Sequence, residues 1–129
     1  MPLTVVLAVG LDSSLLAGQI SLWQSAGYVV TSTGSIREAI GHFRYGDFDL
    51  VLLGHSISPD NRERFTLLIR ASGSRTPVIS ITDSPKGHDS FADLTIGNQP
   101  ANLLKSIREF MAKRAGASAP NRDMQAIAV

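Results

Sequence analysis

The sequence predicts an α/β fold with a five-stranded, doubly wound parallel sheet in the strand order 2-1-3-4-5, covered by helices as a three-layer α/β/α sandwich. Two observations predict it. Apolar runs of strand length alternate with segments whose apolar residues recur at helical spacing. The connections between them are short, as expected for parallel strands joined by crossover helices. The 129 residues suffice for one domain with its own core.

Composition excludes several classes of protein and site. Apolar residues make up 43% and charged residues 18%, a soluble globular composition. The absence of cysteine excludes disulfides, thiolate metal sites and cysteine nucleophiles. A net charge of +1 gives no strong field to attract nucleic acid or acidic lipid. No apolar run is long enough to span a membrane, and no basic segment precedes the first one. We therefore expect a cytoplasmic domain that binds neither nucleic acid nor membrane.

The first strand and helix follow from the opening residues. Leu3–Val9 is an apolar, valine-rich run that predicts a strand buried on both faces, and Gly10 ends it. Asp12 and the two serines after it are suited to cap a helix. That helix closes at Gly27, which we expect to adopt the left-handed conformation. Its apolar residues recur at helical spacing: Leu15, Leu16, Ile20 and Trp23.

The second strand and helix come next. Tyr28–Thr31 predicts a short strand. Ser35 followed by Glu38 three residues later is a capping box, so a helix begins there. Its buried stripe comprises Ile36, Ala39, Ile40 and Phe43. Gly46 and Asp47 break the helix.

Two more buried strands are predicted at Asp49–Leu53 and at Val78–Thr82. Between them lie a polar loop, Ser56–Asn61, and a helix that ends near Ser72. The apolar residues that predict this helix are Phe65, Leu68 and Ile69.

The last α/β segment is less regular. Residues 83–91 are polar, and Ala92–Ile96 predicts a weak fifth strand. Pro100 suits a first helical position, and an amphipathic helix follows to about Arg114. We expect residues 1–114 to form the domain and residues 115–129 to be a linker or disordered tail. The resulting β-α order, repeated five times, indicates the flavodoxin-like arrangement.

Four fragments in this order resemble a known family. Residues 22–30 (LWQSAGYVV) resemble the end of its first helix and its second strand, and residues 48–53 (FDLVLL) its third strand. Residues 75–82 (RTPVISIT) and 100–107 (PANLLKSI) resemble its fourth strand and last helix. Together they resemble the receiver domain of two-component response regulators, across roughly residues 3–114.

The resemblance implies a site whose residues are altered. An active receiver phosphorylates an aspartate at the position of Gly54 and holds magnesium with an acidic pair at the positions of Gly10 and Leu11. Its conserved lysine falls at Ile96, and Thr82 alone keeps a family residue type. Magnesium needs oxygen ligands, and glycine and leucine side chains supply none. The resemblance therefore implies a degenerate receiver, or pseudo-receiver, without metal, cofactor or enzymatic activity.

Other acidic residues invite a second interpretation. Asp12 and Asp83 lie just beyond predicted strands, at the edge where this fold binds ligands, and His55 follows Gly54. They form a polar or metal-binding cluster, and an enzyme site, only if their side chains converge; otherwise they cap helices and solvate loops. Asp49, five residues before Gly54, is about 15 Å from the strand's end at about 3.3 Å per residue. It is too far to replace the missing aspartate.

The sequence thus predicts a phosphorylation-independent protein-interaction module of two-component (phosphorelay) signal transduction. Its expected partner is a signalling kinase or effector, or a second copy of the chain. The resemblance places the contact face around the helix between the fourth and fifth strands, the fifth strand and the last helix, including Leu94, Ser106 and Phe110. The alternative is a small-ligand sensor, because loss of three acidic side chains leaves a less charged and more apolar pocket.

Overall fold

The structure, a computed structural model, describes residues 4–11, 18, 21–82, 89–97 and 100–118, and for 100–102 and 115–118 it describes the backbone alone. The strands are β1 (Thr4–Val9), β2 (Tyr28–Thr33), β3 (Leu50–Leu53), β4 (Val78–Thr82) and β5 (Leu94–Gly97). The helices are α1 (described at 18 and 21–25), α2 (Ile36–Tyr45), α3 (Pro59–Ala71) and α4 (Pro100–Ser118). The chain forms two compact units, Met1–Asn98 and Gln99–Val129.

All strand pairs are parallel, and the sheet has the order β2-β1-β3-β4-β5. On β1, Val6 pairs with Val30 of β2 on one side and with Leu50 of β3 on the other. The predicted fold class is confirmed. The chain passes from β1 to one edge of the sheet and then returns to β3. The carboxyl ends of β1 and β3 therefore lie side by side at the point where the strand order reverses, where ligands bind in this class of sheet.

Both faces of the sheet are buried, as the continuous apolar runs predict. One face packs against α2 and α3, and its core includes Ala39 of α2 and Phe65 and Ile69 of α3, each no more than 1% exposed. The strand residues on this face are Leu7, Val9, Val51, Leu53 and Val78. Alternate strand residues on the opposite face are also fully buried: Val6, Ala8, Leu50, Leu52 and Ile79. Because successive residues of a strand point to opposite faces of the sheet, apolar side chains are buried on both faces.

The end of α1 and the cap residue of α2 are as predicted, but the second half of the α2 capping box is not. The Ser35 hydroxyl accepts a hydrogen bond from the Glu38 N–H at 3.1 Å and caps α2. Glu38 does not complete the capping box; its carboxylate accepts from the Thr33 hydroxyl at 2.7 Å. The Thr33 hydroxyl also accepts a hydrogen bond from the Ser35 N–H at 3.4 Å. In a capping box the Glu38 side chain would accept that bond. After α1, Gly27 has φ of +87°, the expected left-handed conformation.

Several predicted boundaries are wrong. The predicted loop Ser56–Asn61 is shorter, because Ser58 caps α3 by accepting from the Asn61 N–H at 3.3 Å and Pro59 is its first residue. Strand β2 extends two residues further, to Thr33.

The fifth strand also begins later than predicted, at Leu94. Asp93 precedes it, and its carboxylate accepts from the Val78 N–H at 2.7 Å. The Asp93 carboxylate thus replaces a backbone carbonyl as the acceptor for the Val78 N–H.

The unit Gln99–Val129 contains α4, which begins at Pro100 as predicted. The helix ends at Ser118, beyond the predicted end near Arg114, so the first residues assigned to the tail are helical. Within it, the Arg114 guanidinium lies 5.8 Å from the centre of the Phe110 ring one turn earlier. None of the helices in the described residues has the length and apolar character to cross a membrane.

Candidate functional site

The predicted site positions on β1 and β3 come together at the carboxyl edge of the sheet. Val9 pairs with Leu53, so the next residues, Gly10 and Gly54, are neighbours. The Gly54 N–H donates to the Val9 carbonyl at 2.7 Å, which holds the end of β3 against the end of β1. Both glycines are buried, and Leu11 is partly exposed.

The two strand ends approach too closely for a side chain at Gly54. A Cβ built there would overlap the Gly10 carbonyl oxygen and would lie 2.8 Å from the Leu11 N. These neighbours are backbone atoms, which cannot turn aside as a side chain does. The space that a side chain at Gly54 would need is therefore filled by the backbone of Gly10 and Leu11, which follow β1.

Gly10 is confined in a similar way by the loop after β3. Its φ of +71° lies in the left-handed region that favours glycine. A Cβ on Gly10 would overlap the Ile57 side chain and would lie 2.8 Å from the Ser56 Oγ. That hydroxyl donates to the Gly10 carbonyl at 2.5 Å, and Ile57 is only 8% exposed. Ser56 and Ile57 thus occupy the space that a side chain at Gly10 would need.

A buried ion pair holds this loop from the other side. Arg62 of α3 donates through Nη1 to the Ile57 carbonyl, and its Nε lies 2.8 Å from Asp89 Oδ2. A second contact, Nη2 to Oδ1 at 3.3 Å, makes the pair bidentate. The two side chains are 11% and 13% exposed. Asp89 lies in the segment before β5, so Arg62 ties that segment to the loop that covers Gly10.

Sequence reasoning missed Arg62 and Asp89. They are 27 residues apart, and neither belongs to a local motif. Arg62 lies among other charged residues at the start of α3 and is typical of an exposed helix face. Only the packing of α3 on the sheet reveals that it is buried.

Thr82 and Ile96 lie on the two remaining strand ends. Thr82 is the last residue of β4 and pairs with Gly97, and Ile96 pairs with Ile81. Both are partly exposed. The Ile96 side chain has no charge to neutralise a phosphoryl group. Of these two residues, Thr82 supplies the polar group, its hydroxyl.

The proposed residual cluster is described only at His55, which is exposed. Asp12 and Asp83 lie outside the described residues. Among the residues that are described, no group of three histidine or acidic side chains is placed to hold a metal ion.

Asp49 has a different role from phosphate acceptance. Its carboxylate accepts from the Val5 N–H at 2.8 Å, and its own N–H donates to the Val5 carbonyl at 2.8 Å. It lies just before β3, at the amino end of the sheet, and joins that strand to β1. The sequence argument against Asp49 as a substitute phosphoacceptor agrees with this position.

Comparison with known proteins gives a fold likeness without close sequence likeness. No family model and no curated protein sequence matches the chain. Among solved structures, the chemotaxis response regulator CheY4 of Vibrio cholerae matches with a TM-score of 0.71 and 21% identity, covering 83% of this chain and 98% of that one. This chain has the fold of a receiver domain.

Other receiver structures give the same result. The receiver domain of the sensor histidine kinase PA1611 of Pseudomonas aeruginosa has a TM-score of 0.67 and 18% identity, over 85% of this chain and 98% of its own. That structure holds a magnesium ion in its active site cleft. A complex of histidine kinase ThkA with response regulator TrrA, from Thermotoga maritima, matches with a TM-score of 0.68 and 19% identity, over 83% and 97%.

Proposed function

We propose that this chain is a degenerate receiver domain, a protein-interaction module of two-component (phosphorelay) signalling that works without phosphorylation. The fold of its structural neighbours supports the signalling assignment. One observation carries the rest: the backbone of Gly10 and Leu11 fills the space beside Gly54 where an acceptor side chain would stand. Phosphoryl transfer needs a positioned nucleophile and a metal that neutralises charge. None of Gly10, Leu11 and Gly54 supplies a carboxylate for either purpose.

The packing around Gly54 also supports a single, fixed state. An active receiver changes its population of two states when phosphate arrives. Here Ile57 is seated over Gly10, and Arg62 holds the Ile57 carbonyl and Asp89 together. Contacts that bury a charge pair make such a loop costly to move. The domain therefore presents one surface to its partner, in the cytoplasm, without an enzymatic step.

The partner is a signalling kinase, an effector or a second copy of the chain. The neighbour TrrA is bound to the histidine kinase ThkA, which supports a protein partner for this fold. For self-association we propose the last helix, with Ser106 and Phe110. The small-ligand alternative is not favoured, because Ser56 and Ile57 occupy the space that it requires at Gly10.

The phosphorylation test is direct. The protein is incubated with magnesium and acetyl phosphate and its intact mass is measured, with an active receiver domain as positive control. We expect no phosphoryl adduct, and no change in amide spectra with magnesium and beryllofluoride. A phosphoryl adduct on this chain, in the range seen for the control, would overturn the proposal.

A binding test addresses the interaction role. Histidine-kinase and effector domains from the same genome are titrated against the immobilised protein, with and without magnesium and acetyl phosphate. We expect binding whose affinity is the same in both conditions, and affinity that depends on the phosphoryl donor would contradict it. Sedimentation velocity of the wild type and of Phe110→Glu tests the dimer. A dimer that Phe110→Glu dissociates supports the last-helix face, and one that it leaves intact excludes it.

A further inference from the structure

An apolar groove lies between α2 and α3, away from the strand ends. It has a volume of about 320 Å³ and is lined by Ile40, Phe43 and Arg44 of α2, by Phe65, Leu68 and Ile69 of α3, and by Ser72 at the end of α3. Two of its lining residues, Phe43 and Phe65, form an edge-to-face pair whose ring centres are 6.3 Å apart. We call these seven residues the α2–α3 groove.

Part of this groove is apolar surface left open to solvent. Leu68 is 48% exposed, whereas its neighbour Ile69 is 1% exposed and belongs to the core. Leu67, on the same helix, is 58% exposed. Removing apolar surface from water favours association, so a partner that covers the exposed part of Leu68 gains binding free energy. Exposed apolar residues beside a preformed groove are a feature of protein-binding sites.

The charge of the groove specifies the partner. Arg44 is its charged lining residue and is exposed. Among the described residues, no carboxylate pairs with Arg44, in contrast to Arg62, which pairs with Asp89, and Arg70, which pairs with Asp93. The Arg44 guanidinium lies 6.0 Å from the centre of the Tyr45 ring. A partner carboxylate next to the apolar anchors would complement this cation.

We infer that the α2–α3 groove binds an acidic amphipathic helix of a partner protein, with apolar anchors against Phe43, Phe65 and Leu68 and a carboxylate against Arg44. A helix laid into a groove between two helices presents anchors at i, i+3, i+4 and i+7. The inference rests on the proposed function only in taking the partner to be a protein.

The test uses the intact chain and a labelled model helix. The probe is a fluorescein-labelled amphipathic peptide with leucine at i, i+3, i+4 and i+7 and glutamate beside them; a matched peptide carries lysine in place of glutamate. Fluorescence anisotropy should give at least about tenfold tighter binding of the glutamate peptide. Arg44→Glu should reverse that preference.

A pair of exposed leucines supplies the matched control. Leu68→Gln, which removes the apolar contact without adding a charge, should weaken binding of the glutamate peptide by about tenfold or more. Leu22→Gln, at a 57% exposed position on α1, should leave it unchanged. Equal effects of the two substitutions, no binding of the glutamate peptide at millimolar concentration, or no dependence on peptide charge would overturn the inference.

Two further outcomes are distinguished by separate measurements. If sedimentation shows a wild-type dimer that Leu68→Gln dissociates, the occupant is a second copy and the inference fails. If the chain takes up a phosphoryl group while the peptide results hold, the proposed function fails and the groove assignment stands.

Discussion

The backbone of Gly54 lies directly against the backbone of Gly10, so that a Cβ at Gly54 would stand 2.5 Å from the Gly10 carbonyl carbon. The contact joins the ends of β1 and β3, where the strand order reverses. In this class of sheet that edge is the ligand-binding edge. Between Gly10 and Gly54 the main chains pack directly on each other, so a carboxylate cannot be introduced at Gly54 by one substitution without displacing the backbone of Gly10 and Leu11.

Gly54→Ala should therefore lower the free energy of unfolding by about 3 kcal/mol, because overpacking against fixed atoms forces the backbone to move. The measurement is urea unfolding followed by circular dichroism. Gly41→Ala is the control: its Cβ would meet nothing within 4 Å, and alanine in a helix should stabilise α2 by about 0.5–1 kcal/mol. A Gly54→Ala protein as stable as the wild type would show that the two strand ends separate easily.

Asp49→Ala should destabilise the protein by about 1 kcal/mol, because it removes an acceptor from the Val5 N–H. The exchange of the Val5 amide proton, measured by NMR, should become faster. Asp47→Ala, at an exposed position two residues earlier, should change neither quantity. Unchanged exchange at Val5 in Asp49→Ala would rule out the carboxylate as the group that protects it.

The sequence predicts the sheet well because its strands are encoded locally. β3 is a continuous apolar run, and β1 and β4 are mostly apolar and β-branched, which is the pattern of strands buried on both faces. The start of β5 was misplaced because Asp93, through its carboxylate, replaces a strand partner, and this contact spans 15 residues. The glycines at the strand ends were visible in the sequence, but the close approach of Gly10 and Gly54 was not. It depends on the register of β1 with β3, which no local pattern specifies.

Ser35→Ala should destabilise the protein by about 1 kcal/mol through loss of the α2 cap. Thr33→Val should also be destabilising, because it removes the hydroxyl that bonds Glu38 and Ser35. If the two residues act as one cap, the double variant should lose less stability than the sum of the losses in the two single variants. Thermal and urea unfolding of the three variants measure this. Strict additivity would show two independent contacts.

The pair Arg62–Asp89 should contribute far more to stability than the pair Arg70–Asp93. The Arg62 and Asp89 side chains are 11% and 13% exposed, against 36% and 31% for the second pair. Removing one partner of a buried pair leaves an uncompensated charge, so Arg62→Met should cost about 3 kcal/mol. Exposed pairs are screened by water and are worth about 0.2–1 kcal/mol.

Double-mutant cycles separate the ion pairs from the other bonds that each arginine makes. Arg62 also donates to the Ile57 carbonyl, and Arg70 to the Thr76 carbonyl at 2.7 Å. A cycle of Arg62→Met with Asp89→Asn should give a coupling energy of about 2 kcal/mol, and the corresponding cycle for Arg70 and Asp93 should stay below about 1 kcal/mol. Equal coupling energies would mean that burial of Arg62 does not strengthen its ion pair, and the loop over Gly10 would then be held by the packing of Ile57 alone.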